Sequence, residues 1–193
     1  MSSNQDAAGT AMVWEIYKNL TEQCEHFNGI ESTYRTLTST WLLAAFGAIG
    51  FVMKDLQGDP LLIGAIASGA AIGIYLLWTL DLLVYHRLLG AAFAELLALE
   101  NRNAWLPQVA HGMMNAEDGV GVVPRVVWFY IATYAVLVAI ASVALVRGAE
   151  PQWGIGGHLA GAAACFALFG VAVGRYMYGR ATAPSAEQAE YRK

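Results

Sequence analysis

Charge is scarce in this chain. Of its 193 residues only 13% are Asp, Glu, Lys or Arg, against 57% hydrophobic ones, and the mean hydropathy is +0.45. That balance lies outside the usual soluble range, so water is not the only solvent for which the sequence is built. Cysteine is nearly absent: Cys24 sits in a polar segment and Cys165 in an apolar one, which argues for two free thiols rather than a disulfide framework. The opening MSSNQDAAGTA lacks the basic stretch and apolar core of a cleavable signal peptide, so the first apolar segment is expected to serve as its own insertion signal. A net charge of −4 speaks against nucleic-acid binding by the whole surface and leaves room only for a local basic pocket. Catalytic signatures are missing too. His26, His86, His111 and His158 stand in no HExxH, CxxC or carboxylate spacing, and there is neither a Gly-x-Ser-x-Gly nor a P-loop. No enzyme, cofactor or metal site is expected.

What the sequence has instead is four long apolar runs, each close to the roughly 20 residues that a helix needs to cross about 30 Å of hydrocarbon. The first runs from Leu37 to Met53, slightly short, with Lys54 able to snorkel. The second covers about Pro60 to Leu83 and carries Asp81 at its far end. The third, Val126 to Val146, lies between Arg125 and Arg147. The fourth, about Ile155 to Val173, is followed by Arg175 and the interfacial pair Tyr176 and Tyr178. With the N-terminus inside, nine of the 11 Lys and Arg residues fall on the cytoplasmic side, leaving only Lys54 and Arg147 outside. This bias predicts an N-in, C-in protein of a bacterial-type inner membrane, with short outer loops.

The cytoplasmic part has its own pattern. From Val13 the apolar residues fall on a heptad, with Val13, Leu20, Phe27 and Tyr34 at one position and Ile16, Ile30 and Leu37 at the other. Residues 1–36 therefore read as an amphipathic helix running into the first span, with Glu31 on its acidic face as an ion-pair partner for Arg35 and a kink at Asn28-Gly29. After the second span, helix-forming residues continue to about Asn103, and Leu88, Leu89, Phe93, Leu96, Leu97 and Leu99 need cover there; the heptad face is the obvious partner. Residues 107–121 read as an irregular loop and 179–193 as a disordered tail. The expected architecture is all-α: a four-span membrane domain over 37–178, a cytoplasmic extension and loop at 84–124 inside it, and a cytoplasmic helical bundle.

Candidate sites fall into two groups. Gly64, Ser68, Gly69 and Gly73 in the second span and Gly157 and Gly161 in the fourth allow close backbone approach, either within one subunit or between subunits around a pore. Near the cytoplasmic boundary lie Phe27, Tyr34, Arg35, Asp81, His86 and Arg87. Arginines beside aromatic rings can hold a phosphate and stack a base; the plainer reading is anchoring of two helices at the interface. Asp81 is the one acid in a span-like run, either a functional group or a structural partner of Arg87 or Arg35.

The stretch HFNGIESTYRTLTSTWLLAAFGAIGFVM and the four-span layout resemble small bacterial four-helix membrane effectors of nucleotide-signalling anti-phage defence, with the Hailong type nearest in pattern. That resemblance implies a homo-oligomeric pore controlled by a nucleotide or oligonucleotide from a neighbouring nucleotidyltransferase. Together these features lead to the expectation of an ion-conducting effector, a tetramer in preference to a dimer, gated through its cytoplasmic helices. The alternative is a non-conducting scaffold that docks a cytoplasmic partner.

Overall fold

The computed structural model describes residues 2–116, 122–149 and 154–182, and among these every regular element is helical. Helix α1 spans Ser2–Asp55, α2 Pro60–Trp78, α3 His86–Arg102, α4 Val109–Ala116, α5 Val122–Ala149, α6 Ile155–Cys165 and α7 Ala172–Thr182. Two π-helical segments interrupt the α pattern: Thr79–Tyr85 joins α2 to α3, and Phe166–Val171 joins α6 to α7. Four of the resulting helical runs are long and apolar enough to cross a membrane.

The chain divides into two compact units, one of residues 1–34 and 80–121, the other of residues 35–79 and 122–193. The smaller unit is built around Tyr17, Leu96, Leu106 and Ala110, with Val13, Leu20, Cys24, Phe93, Leu97 and Leu99 packed against them. The expected pairing of the N-terminal helix with the extension after the second span is thus present, but its face differs from the one read from apolar residues. Ile16 is exposed, and the inward set is Val13, Tyr17, Leu20 and Cys24. Every seventh residue from Tyr17 through Cys24, Glu31, Thr38, Ala45 and Val52 is buried or half-buried. A count of apolar side chains passes over this column because Glu31 and Thr38 belong to it.

Other expectations are corrected as well. The helix begins at Ser2 and runs through Asn28-Gly29 unbroken. A glycine in a helix interior costs only about 1 kcal/mol relative to alanine, less than the flanking packing provides. The segment taken as a loop contains α4, and the tail taken as disordered from 179 is helical through Thr182; residues 117–121 and 183–193 lie outside the described part.

In the larger unit α2 lies along α5. Ile49, Ala67 and Ala141 form a small core with Ile63, Ile66 and Ile140 around it. Small residues set the helix separations: a Cβ on Gly64 would come 2.6 Å from Leu145, and one on Gly148 would come 2.5 Å from Leu61. The connection between α1 and α2 is tight. Gly58 takes φ +69°, its N–H donates to the Val52 carbonyl at 3.0 Å, and the Asp59 carboxylate caps α2 by accepting from the Leu61 amide at 2.9 Å. Pro60 opens α2 at a position where no amide hydrogen is needed. Leu43, Phe51, Ile72, Leu159, Leu168 and Phe169 point outward, as side chains solvated by lipid do.

Candidate functional site

The most polar part of the smaller unit's interior is held by α1, the first π-helical segment and the start of α3. Glu31 is 3% exposed and meets the Nδ1 of His86 at 3.1 Å. Tyr34, one turn further along α1, packs its ring on Tyr85 with centroids 5.3 Å apart and a 34° tilt. Asp81, in the π-helical segment, is wholly buried. A π turn carries one more residue than an α turn and is enriched where a helix presents a functional group; here it turns the acid inward.

The structure therefore brings together Tyr34, Tyr85, His86 and Glu31 and buries Asp81. Of these, Tyr34, His86 and Asp81 were among the boundary residues singled out from the sequence. Glu31 was misplaced on the solvated face, because a carboxylate at a heptad position reads as polar until its partner, the half-buried His86, is known. Phe27 is half-buried, Arg87 is exposed, and Arg35 belongs to the larger unit. Two buried carboxyl groups and a half-buried imidazole thus stand near the ring pair in this unit. Such a cluster favours a cationic group and is a poor seat for a phosphate.

A second polar constellation orders the far end of α3. Glu100 is 1% exposed, and its carboxylate accepts from the Ala110 amide at 2.9 Å, the His111 amide at 3.2 Å and the His111 Nδ1 at 2.8 Å. The two amides lie in the first turn of α4, so this carboxylate does the work of an N-cap from ten residues away. Burial alone would raise the Glu100 pKa, but the Ala110 amide and then His111 outweigh it and hold the group below the ordinary carboxylate value. Tyr17 packs nearby; burial, and next the negative Glu100, push its phenol up.

The small-residue positions separate. Gly73 packs within the chain, where a Cβ would come 2.5 Å from Nε1 of Trp41, whose indole N–H donates to the Ala70 carbonyl at 3.1 Å. Gly64 packs on Leu145, Ser68 is half-buried, and Gly69 meets nothing within 4 Å. Gly157 is exposed and Gly161 half-buried. The hydroxyls of Thr133 and Ser142, buried in α5, donate to the Phe129 and Val138 carbonyls one turn back, at 2.8 and 2.7 Å. They serve their own helix and do not line a polar path through the unit. Among the described residues no group of three or more His, Cys, Asp or Glu side chains is placed to hold a metal ion. Comparison with protein-family models, with curated proteins and with solved structures finds no match to this chain, so its function has to be argued from these residues.

Proposed function

We propose that the protein is an ion-conducting membrane effector whose pore forms between copies of the chain and is gated through the helices of the smaller unit. The observation that carries this reading is helical continuity. Both α1 and the α2–π–α3 run pass from one unit into the other without a loop, so a change in the smaller unit is delivered directly to two spans. A pore between protomers, a tetramer being favoured, fits two further features: Thr133 and Ser142 spend their hydroxyls within their helix, and the Gly69 face of α2 is open.

The Glu31–His86 pair and the buried Asp81 lie on the gating elements. A nucleotide or oligonucleotide, the ligand class implied by resemblance to anti-phage effectors, would need a basic group such as Arg87 for its phosphates, since the Tyr34–Tyr85 pair is flanked by acids. We place the protein in a bacterial inner membrane with both termini in the cytoplasm.

Flux from liposomes containing the purified protein tests conduction directly. Tyr17→Ala, which empties the α1–α3 core, should change flux and the toxicity of induced expression at unchanged protein level. Removing a large buried side chain costs about 3 to 5 kcal/mol, as much as usually separates two functional states. Liposomes that stay tight under all conditions would put a second reading ahead, a membrane scaffold. That reading is favoured by one surface: Trp105, Val109 and Met113, four residues apart in sequence, expose an apolar stripe on and before α4.

A further inference from the structure

The larger unit contains a half-open cavity of about 690 Å³ near the 56–59 connection and the start of α6. Its walls come from Met53 of α1, Ile63 of α2 and Ile140 and Val143 of α5, and its basic side chains are Arg147 and His158. Among the described residues no carboxylate lines it. The volume falls in the range of about 300 to 1,000 Å³ typical of ligand sites and is far larger than a hydrated ion needs. The site is chemically two-ended, with aliphatic walls supplied by the spans and basic nitrogen at the helix ends.

Charge and dipoles point the same way. Arg147 closes α5, where a cation also offsets the negative end of the helix dipole, and it is exposed rather than folded into the packing. His158 lies in the first turn of α6, whose N-cap is Gly154; among the described residues no side chain caps that positive helix end. A ligand that satisfies both ends needs an acyl chain for the walls and an anionic head for Arg147.

We propose that this cavity is a binding site for an anionic phospholipid of the bilayer, its acyl chain against Ile63, Ile140 and Val143 and its phosphate at Arg147. The assignment rests on insertion of the four spans and is independent of conduction, because lipid retention can be read whether or not the protein forms a channel. The test uses the full chain purified in a mild detergent, stripped of lipid, and incubated with phosphatidylglycerol, phosphatidylcholine or inorganic phosphate. Bound lipid is counted by native mass spectrometry, and thermal stability is followed in parallel.

Phosphatidylglycerol should be retained and should raise the melting temperature, whereas phosphatidylcholine and inorganic phosphate should do neither. Arg147→Gln should weaken retention about tenfold or more, the factor expected for loss of a charge-assisted hydrogen bond. Ala139→Phe, which fills the cavity without touching the cationic end, should abolish it. If that variant melts early, Val143→Phe at the half-open wall makes the same test. Equal retention of the two lipids, equal stabilisation by inorganic phosphate, or undiminished retention in either a folded cavity-filling variant or Arg147→Gln overturns the proposal.

Discussion

Glu100→Gln should release the start of α4 while leaving the spans intact. The native carboxylate accepts three hydrogen bonds from Ala110 and His111 in a place almost closed to water. Hydrogen bonds to a charged group contribute about 1.5 to 3 kcal/mol each, and they are not additive when they share one acceptor group. The amide side chain keeps one uncharged acceptor and turns an N–H toward backbone donors, so a net loss of about 3 kcal/mol in the local opening free energy is expected. That corresponds to roughly a hundredfold faster amide exchange in a peptide covering 106–112, measured by hydrogen exchange in detergent at neutral pH. Glu95→Gln, at an exposed position of the same helix, is the control.

The pH dependence has a definite sign. Because the folded-state pKa of Glu100 is depressed, its contribution is complete above the ordinary carboxylate value of 4.5 and is lost as the pH falls through the lower, folded-state value. The wild type should therefore lose protection at this peptide only in acid, and the variant should show no such step. Unchanged exchange in Glu100→Gln, or equal loosening in both variants, would refute the assignment of α4 stability to this carboxylate.

The glycines of α2 give a second contrast. Gly73→Val should destabilise the larger unit by about 1 to 3 kcal/mol, since its Cβ would strike the Trp41 indole, and a lowered melting temperature would show it. Gly69→Val meets no atom of its own chain and should leave melting unchanged while altering assembly size or flux. For topology, reporter fusions after Gly58 and Gly148 should report periplasm and fusions after Asn115 and at the C-terminus cytoplasm; a periplasmic signal at Asn115 would overturn the N-in, C-in reading.

The four spans were legible because apolar length is a one-dimensional property, counted without knowing what each residue touches. The pairing of α1 with α3 was legible for a related reason: an apolar helical face outside lipid demands a partner. What escaped was whatever depended on a partner distant in sequence. The place of Glu31 in its column was hidden because its partner is His86, 55 residues away. Helix α4 was hidden because Pro107 and Gly112 read as breakers, while its cap comes from Glu100 on the preceding helix. The π-helical segments have no local signature: TLDLLVY and FALFGV are ordinary apolar helix sequences. In the candidate site, aromatic and basic residues beside two spans could be grouped by depth, but not the acids that join them.

The segment Phe166–Val171 bears on how the fourth span should be compared with others. Each π turn holds an extra residue, so the azimuth of everything beyond it is offset by about 100° from that of an unbroken α-helix. The pair Gly157/Gly161 precedes this segment, whereas Gly170 lies within it and Gly174 after it, and the four do not form one stripe: Gly157 is exposed and Gly161 half-buried, whereas Gly170 and Gly174 are buried, with the Phe166 ring covering Gly170. A single-residue deletion within 166–171 would restore the α pattern and rotate one half against the other, exchanging lipid-facing and packed positions without altering composition. In aligning this helical run with any other, the gap belongs inside the apolar helix rather than in a loop.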